Sequence, residues 1–383
     1  MDVYLDNSST TFPKPKQVID GIYNYMLNVG GNAGRGNYAN SLQSNRFLYE
    51  AREIVSDFFG FSSPSNVIFT NNVTTSLNML IKGLLKPGDH VVTSSMEHNS
   101  VLRPLVNCKE LLGINLDIID ADSSGFINVS DFESKITHNT KLVILTQASN
   151  VTGSIQNISA VGKICREKDV FFIVDSSQGA GVLDIKMNSI NANAIAFTGH
   201  KSLLGPQGIG GFIIDDKLNN NCNSILHGGT GSLSYSLDQP DFLPDKFECG
   251  THNMPGIVGL SESIKFITST GIKNIYEHNH DLINYLLDGL LNINDLIVYG
   301  DATGKNITTC VSINMKSLDS SELGYLLEEN GIKTRCGLHC APLAHKTIGT
   351  YPNGTVRLSI SYFNTKSEID YTLKTLNKIS LNK

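Results

Sequence analysis

In this 383-residue chain, the run Phe197-Thr198-Gly199-His200-Lys201 ends an apolar, strand-like stretch on a lysine, and the glycine-rich Gly205-Pro206-Gln207-Gly208-Ile209-Gly210-Gly211 follows. A lysine at a strand's end is placed to form a Schiff base with a carbonyl cofactor, although an ordinary surface lysine would read the same. A second apolar run, Phe172-Ile173-Val174, ends on Asp175 and continues into Ser176-Ser177-Gln178. A carboxylate there can pair with a pyridinium nitrogen and keep it protonated; the alternative is an Asp that caps the next helix. The segment Asn71-Asn72-Val73-Thr74-Thr75 follows a strand and opens a helix. Its backbone N–H groups and the Thr74 hydroxyl can meet an anion at the positive helix end, which is compatible with plain capping by Asn72 or Thr74. His98, after the next strand, is either a ring that stacks on an aromatic cofactor or a structural histidine. Lys201 and Asp175 together are best explained by pyridoxal 5′-phosphate (PLP).

The elements that must position these residues alternate regularly. Short β-rich runs at 67–70, 90–93, 116–119, 142–145, 170–174, 194–197 and 211–214 are separated by helical stretches at 42–58, 74–84, 100–111 and 159–168. Some of the runs are almost wholly apolar, as strands are when helices cover both sheet faces. Within 74–84, Leu77, Leu80, Ile81 and Leu84 share one face at helical spacing. The pattern predicts an α/β fold with a mostly parallel seven-stranded sheet, and such sheets place their sites beyond the carboxyl ends of the strands. After about residue 260 the texture becomes α+β, with helices at 256–270, 275–291 and 320–330 and strands at 308–314 and 356–361. The expected division is a large domain over 16–260 and a smaller one formed by 1–15 and 261–383.

Composition narrows the function classes. Hydrophobic residues at 40% and only 11 prolines exclude wholesale disorder. A net charge of −6 with seven arginines argues against nucleic-acid binding, and no apolar run is long enough for a membrane span. The first residues carry no basic or apolar leader pattern, so no export is expected, and the seven cysteines are read as reduced thiols of a cytoplasmic protein.

The ordered motifs resemble one family along nearly the whole chain. They are Tyr4-Leu5-Asp6-Asn7-Ser8-Ser9-Thr10-Thr11, Met96-Glu97-His98, Ser149-Asn150-Val151-Thr152-Gly153, Val174-Asp175 with Gln178, and Thr198-Gly199-His200-Lys201. Phe247-Glu248 with Gly250-Thr251, the Arg335–Ala341 segment and Val356-Arg357-Leu358-Ser359 complete the set. The chain resembles the class V, fold-type I PLP enzymes, specifically the cysteine desulfurase and selenocysteine lyase group, and within it the SufS-like branch. The resemblance implies that Lys201 holds PLP covalently, Asp175 meets the pyridine nitrogen, Gln178 the ring hydroxyl, and His98 stacks on the ring. It further implies that Val73, Thr74, Thr198 and His200 bind the phosphate, while Thr251 reaches the phosphate of the other subunit in a homodimer. Asn150, Arg335 and Arg357 are implied on the substrate side, with the Arg357 fork gripping the amino-acid carboxylate; a surface ion pair is the bland alternative for Arg357.

Cys340, in Arg335-Cys336-Gly337-Leu338-His339-Cys340-Ala341, matches the short cysteine loop of that branch. A desulfurase needs a thiolate that attacks the substrate sulfur, and Arg335, His339 and His345 are candidate positive neighbours. Cys108, Cys165, Cys222, Cys249 and Cys310 are read as inert. Cys336, His339, Cys340 and His345 could also be zinc ligands, but their spacing matches no zinc pattern and no metal is expected. The chain departs from the branch at Leu338, where His is usual, at Thr75-Ser76, and in the glycine-rich loop Gly30–Gly36. The implied reaction converts L-cysteine to L-alanine and leaves a persulfide on Cys340 for an acceptor, with Lys201 moving the α-proton. The alternatives are a lyase acting on L-selenocysteine, a class V transaminase or lyase in which Cys340 is not catalytic, and a non-catalytic scaffold.

Overall fold

The computed structural model describes residues 1–34 and 36–381. Arg35, within the glycine-rich loop noted above, lies outside the described residues. Seven strands form one sheet in the spatial order Val67–Thr70, Gly210–Ile214, Ala194–Thr198, Phe171–Asp175, Thr140–Thr146, His90–Ser94, Asn115–Ile119. Only Gly210–Ile214 runs antiparallel to its neighbours; the others run parallel. The apolar runs are what this demands, because alternate side chains of one strand enter two different cores. Phe172 and Val174 join one apolar cluster, and Phe171 and Ile173 the other. Val143 and Leu145 divide from Leu142 and Ile144 in the same way. The helix Val73–Leu84 closes one face through Leu77, Leu80, Ile81 and Leu84. The helices Ala39–Phe58, Ile158–Glu167 and Met254–Thr270 close the other.

The parallel arrangement has a direct consequence for the site. The carboxyl ends of five strands lie along one edge of the sheet, and each is followed by a candidate motif. Thr70 leads to Val73-Thr74, Ser94 to His98, Thr146 to Asn150, Asp175 to Gln178, and Thr198 to Lys201.

A second, antiparallel sheet has the order Arg335–Gly337, Thr355–Ser359, Cys310–Met315, Leu296–Tyr299. Its core is built with the helices Ile272–Leu290, Ser320–Glu329 and Lys366–Leu381. The amino-terminal strand Val3–Tyr4 pairs in parallel with Ile332–Lys333, which ties residues 3 to 6 to this unit. Residue 260, the expected boundary, falls inside the continuous helix Met254–Thr270. Ile257, Leu260, Ile264 and Ile267 of that helix all join the large unit's core. Its apolar stripe continues past residue 260, and the helix ends only at Gly271, whose φ of 89° breaks it. The following helix begins against the large core at Ile275 and reaches the small core from Leu282 onward. We therefore place the change of unit within 271–282. No described helix is long and apolar enough to cross a membrane.

Candidate active site

At the start of the helix Val73–Leu84, the Asn72 side chain accepts from the Thr75 N–H at 3.0 Å. That leaves the N–H groups of Val73 and Thr74 with no protein acceptor among the described residues, at the positive end of the helix dipole. Thr198 and His200 line the same cleft. Thr198 Oγ1 and His200 Nδ1 are buried there without a hydrogen-bond partner. Burial, with Lys201 and Lys14 nearby, lowers the His200 imidazole to about 4, so its ring is neutral. The His200 carbonyl accepts from Thr11 N–H at 3.0 Å and Lys14 Nζ at 2.7 Å, which fixes the turn into Lys201. Unsatisfied donors converging on one helix end make an anion seat.

Asp175, at the end of the strand Phe171–Asp175, is 3% exposed. Its Oδ1 accepts from Ser177 N–H at 2.9 Å and from the Ser177 hydroxyl, which closes a turn and leaves the second oxygen free; no helix starts there for it to cap. Burial raises its carboxyl above the usual range, while Ser177 and Lys201 oppose the shift. Lys201 faces it: enclosure lowers the amine to about 8, with Asp175 pulling the other way. Gln178 donates from Nε2 to the Ser8 carbonyl at 3.1 Å. His98 caps the helix Asn99–Leu112, its Nδ1 accepting from the Ser100 N–H at 3.0 Å. An Nδ1 that accepts cannot hold the proton, so the neutral ring carries it on Nε2. Burial, then Lys201 and the nearby arginines, lower His98 to about 3.

Glu97, to which sequence reasoning gave no role, is fully buried beside it. Its Oε1 accepts from the Ser94 hydroxyl at 2.6 Å and the Thr146 N–H at 2.9 Å, bridging two strand ends, and Oε2 has no partner. Burial pushes its carboxyl from 4.5 up to about 8. Between those values the folded chain holds a proton that the unfolded chain has lost, so this group's contribution to stability falls as pH rises through that window. Glu97→Gln keeps the Oε1 acceptor and removes the titration. Its melting temperature should gain on the wild type between about pH 5 and about pH 8. Parallel melting curves across that range would show that Glu97 does not titrate there.

The small unit brings the remaining candidates. Arg357 is 1% exposed, which excludes a surface ion pair. Its Nη1 donates to the Asn150 carbonyl at 2.9 Å, and Nη2 to Asp6 Oδ1 at 3.0 Å and Ser9 Oγ at 2.8 Å. Nε is buried without a partner. Arg335 Nη1 meets the same Ser9 Oγ at 2.9 Å, so Ser9 stands between the two guanidinium groups. Arg335 Nη2 lies 3.8 Å from Cys340 Sγ. Cys340 is exposed, whereas Cys108, Cys165, Cys222 and Cys310 are buried. Burial pushes the Cys165 and Cys222 thiols to about 12, in keeping with inert cysteines. The Cys336 thiol packs on Gly324 in the small core. Among the described residues no three metal-capable side chains converge. His339 and Cys340 both have positive φ, 48° and 57°. Each such residue costs roughly 1–2 kcal/mol, so the surrounding contacts must hold the turn. Thr251 is set apart from the Lys201 cleft, in a neighbouring depression with Asn71 and Phe247.

Residues 3–372 match the aminotransferase class-V family. The chain belongs to that family. This class-V chain is 34% identical to a probable cysteine desulfurase of Methanothermobacter thermautotrophicus, over 99% of its own length and 94% of the relative's. It is 32% identical to a probable cysteine desulfurase of Pyrococcus abyssi, over 98% and 94%. Among solved structures it superposes on the apo cysteine desulfurase of Thermococcus onnurineus NA1 with a TM-score of 0.95 and 32% identity, covering 100% of this chain and 95% of that one. The cysteine desulfurase CsdA of Escherichia coli follows with a TM-score of 0.89 and 25% identity, over 100% and 95%. The expected α/β architecture with a mostly parallel central sheet is thus the one these structures share.

Ser9, Ser177 and Ser100 were not singled out in the sequence, although each orients a candidate residue. Small hydroxyl residues next to a charged one are too common to stand out by type alone.

Proposed function

We propose that this class-V chain is a PLP-dependent cysteine desulfurase that moves the sulfur of L-cysteine onto Cys340. The observation that carries this reading is a shared cleft. Thr74, His98 and Ser100 line both the end that contains Lys201 and Asp175 and the mouth that contains the exposed Cys340. The polar groups present fit the cofactor: unpartnered Thr198 Oγ1, His200 Nδ1 and the helix-end N–H groups suit its phosphate, and the buried Asp175 suits its ring nitrogen. Gln178 would meet the ring hydroxyl, and the neutral His98 ring would lie on the ring face. When bound, PLP supplies an electron sink for the carbon next to the amino group.

The chain's own residues do the rest. Lys201 Nζ, lowered to about 8, is in part neutral near pH 7 and takes the substrate α-proton. Arg357 and Asn150 orient the substrate carboxylate, with Arg335 beside them. The Cys340 thiolate attacks the substrate sulfur, so an S–S bond forms as the C–S bond breaks. The C–S electron pair stays with the substrate, which gains a proton and leaves as alanine. Cysteine plus the enzyme thiol thus becomes alanine plus a persulfide, with no outside oxidant or reductant. The persulfide then passes to an acceptor protein or small thiol.

Two further parts of the reading concern the assembly and its setting. Leu42, Leu233 and Leu237 are exposed around one otherwise polar cavity, and a second copy would cover such exposed leucines. A homodimer would bring Thr251 to the partner's phosphate seat. All seven cysteines are free thiols, in keeping with a cytoplasmic setting. The test is purified protein loaded with PLP and given L-cysteine and a thiol reductant. Equal alanine and sulfide are expected, with no requirement for a keto acid. Amino transfer that depends on a keto acid and releases no sulfide would replace this reading with a transaminase. Turnover confined to selenocysteine would replace it with a selenocysteine lyase.

A further inference from the structure

Behind the turn that presents Cys340, two buried histidines form a chain that no step above uses. His339 is 3% exposed and His345 fully buried. His339 Nε2 lies 3.1 Å from the Arg335 carbonyl, which can only accept, so Nε2 carries the proton. A neutral His339 then has a bare Nδ1, and that atom is 3.2 Å from His345 Nε2, which must be the donor. His345 Nδ1 is bare in turn and accepts the Thr350 hydroxyl at 2.7 Å. Donors and acceptors alternate from Thr350 to Arg335 with none left over. The ring planes are inclined by 30° with centroids 5.3 Å apart, a separation that fits end-to-end contact through the two nitrogens. Burial lowers His345 to about 4 and holds His339 well below its ordinary value, so both rings stay neutral in use.

The ends of this chain give it a role. It terminates on the carbonyl of Arg335, the residue whose guanidinium faces Cys340 Sγ at 3.8 Å. Its middle member, His339, is the first of the two adjacent left-handed residues, and Cys340 is the second. The backbone of that pair is held from the large unit by Asn150 Nδ2 on the His339 carbonyl at 2.7 Å and by the Asn99 N–H on the Cys340 carbonyl at 2.8 Å. From the small unit the turn is closed by the Ala341 N–H on the Leu338 carbonyl at 2.8 Å, and its side-chain hold is His339, whose ring contacts His345.

We propose that His345 is a positioning residue for the Cys340 thiol. Through His339, and oriented by Thr350, it keeps the strained turn and the Arg335 backbone in one register, which sets the sulfur against the guanidinium. The inference rests on the reading of Cys340 as the sulfur acceptor. A lone buried histidine whose loss only loosened the fold would affect every property of the protein together. A positioning residue affects the sulfur step alone.

The test compares PLP-loaded wild type, His345→Leu, His345→Gln, Thr350→Val and Cys340→Ser. Alanine formation from L-cysteine, alkylation of Cys340 by iodoacetamide and the visible absorbance of the bound cofactor are followed. His345→Leu should lower kcat about tenfold with KM changed less than about twofold, slow Cys340 alkylation, and keep the cofactor absorbance. His345→Gln, which can still offer an N–H to His339, should recover most of both rates. Thr350→Val should shift kcat and alkylation in the same direction by a smaller factor, and decides the matter if His345→Leu fails to fold. Wild-type kcat and alkylation in His345→Leu, or a parallel fall of kcat, cofactor absorbance and melting temperature, would overturn the positioning role. Full turnover by Cys340→Ser would instead remove the underlying reading of the reaction, whatever His345 does.

Discussion

Cys340→Ser is expected to lower alanine formation from L-cysteine by about 10³-fold or more while the protein stays coloured with bound PLP. The size follows from the chemistry. A serine hydroxyl is almost wholly protonated near neutral pH and is a poor partner for sulfur, so the step that breaks the C–S bond loses its nucleophile. Nothing else should change. Cys340 is exposed at the cleft mouth, its side chain fills no core, and the groups suited to the cofactor all lie on the large unit. Alanine assays beside visible spectra decide it. Turnover within about tenfold of wild type would make Cys340 incidental. Loss of cysteine turnover with retained selenocysteine turnover would shift the assignment to selenocysteine lyase.

Lys201→Ala should be at least as severe, with a loss of about 10⁴-fold or more and no lysine-dependent visible absorbance after PLP is added. One Nζ is asked to do two things, hold the cofactor and move the α-proton, and among the described residues no other lysine lines the end of the cleft that holds Asp175. Enclosure lowers this amine to about 8, which makes both tasks possible near neutral pH. Its removal also takes away a positive charge that lowers His98 and His200. Those two imidazoles should therefore titrate at higher pH in the variant, which histidine NMR signals would report. An active, spectrally normal Lys201→Ala protein would contradict the assignment.

Much of this arrangement was legible in the sequence because its causes are local and periodic. Strand-length apolar runs split their side chains between two cores, and helical stripes such as that of Leu77 and Leu80 can only close a sheet face. The seven strands and the helices between them follow from those patterns. Five motifs of the large unit were visible as well, since each stands directly after a strand of the parallel sheet. The helices Lys16–Asn28 and Lys366–Leu381 were not read; in the first the apolar residues mark no single buried face, since Val18 and Tyr25 are buried while Ile19, Tyr23, Met26 and Leu27 are exposed. The helix Met254–Thr270 packs on the large core on both sides of residue 260, which is why we place the change of unit after it.

At the site, residue types marked Lys201, Asp175 and the helix end, but not the contacts made through folding. Asp6 and Ser9 reach Arg357 across some 350 positions of sequence. Their local neighbourhood holds no sign of that partner. Glu97 sits within a motif, yet its burial between two strand ends depends on the sheet order. The four Cys and His side chains near Cys340 could be listed from sequence as possible ligands. In the fold Cys336 turns into the small core, while His339 and His345 point at each other.

The most direct test of the central claim is the mass of the protein after one turnover. PLP-loaded chain is mixed with a single equivalent of L-cysteine, without reductant or acceptor, quenched, and digested. The account predicts one added sulfur atom on the peptide that contains Cys340, in step with one alanine released. Alanine released with that peptide unmodified would contradict it.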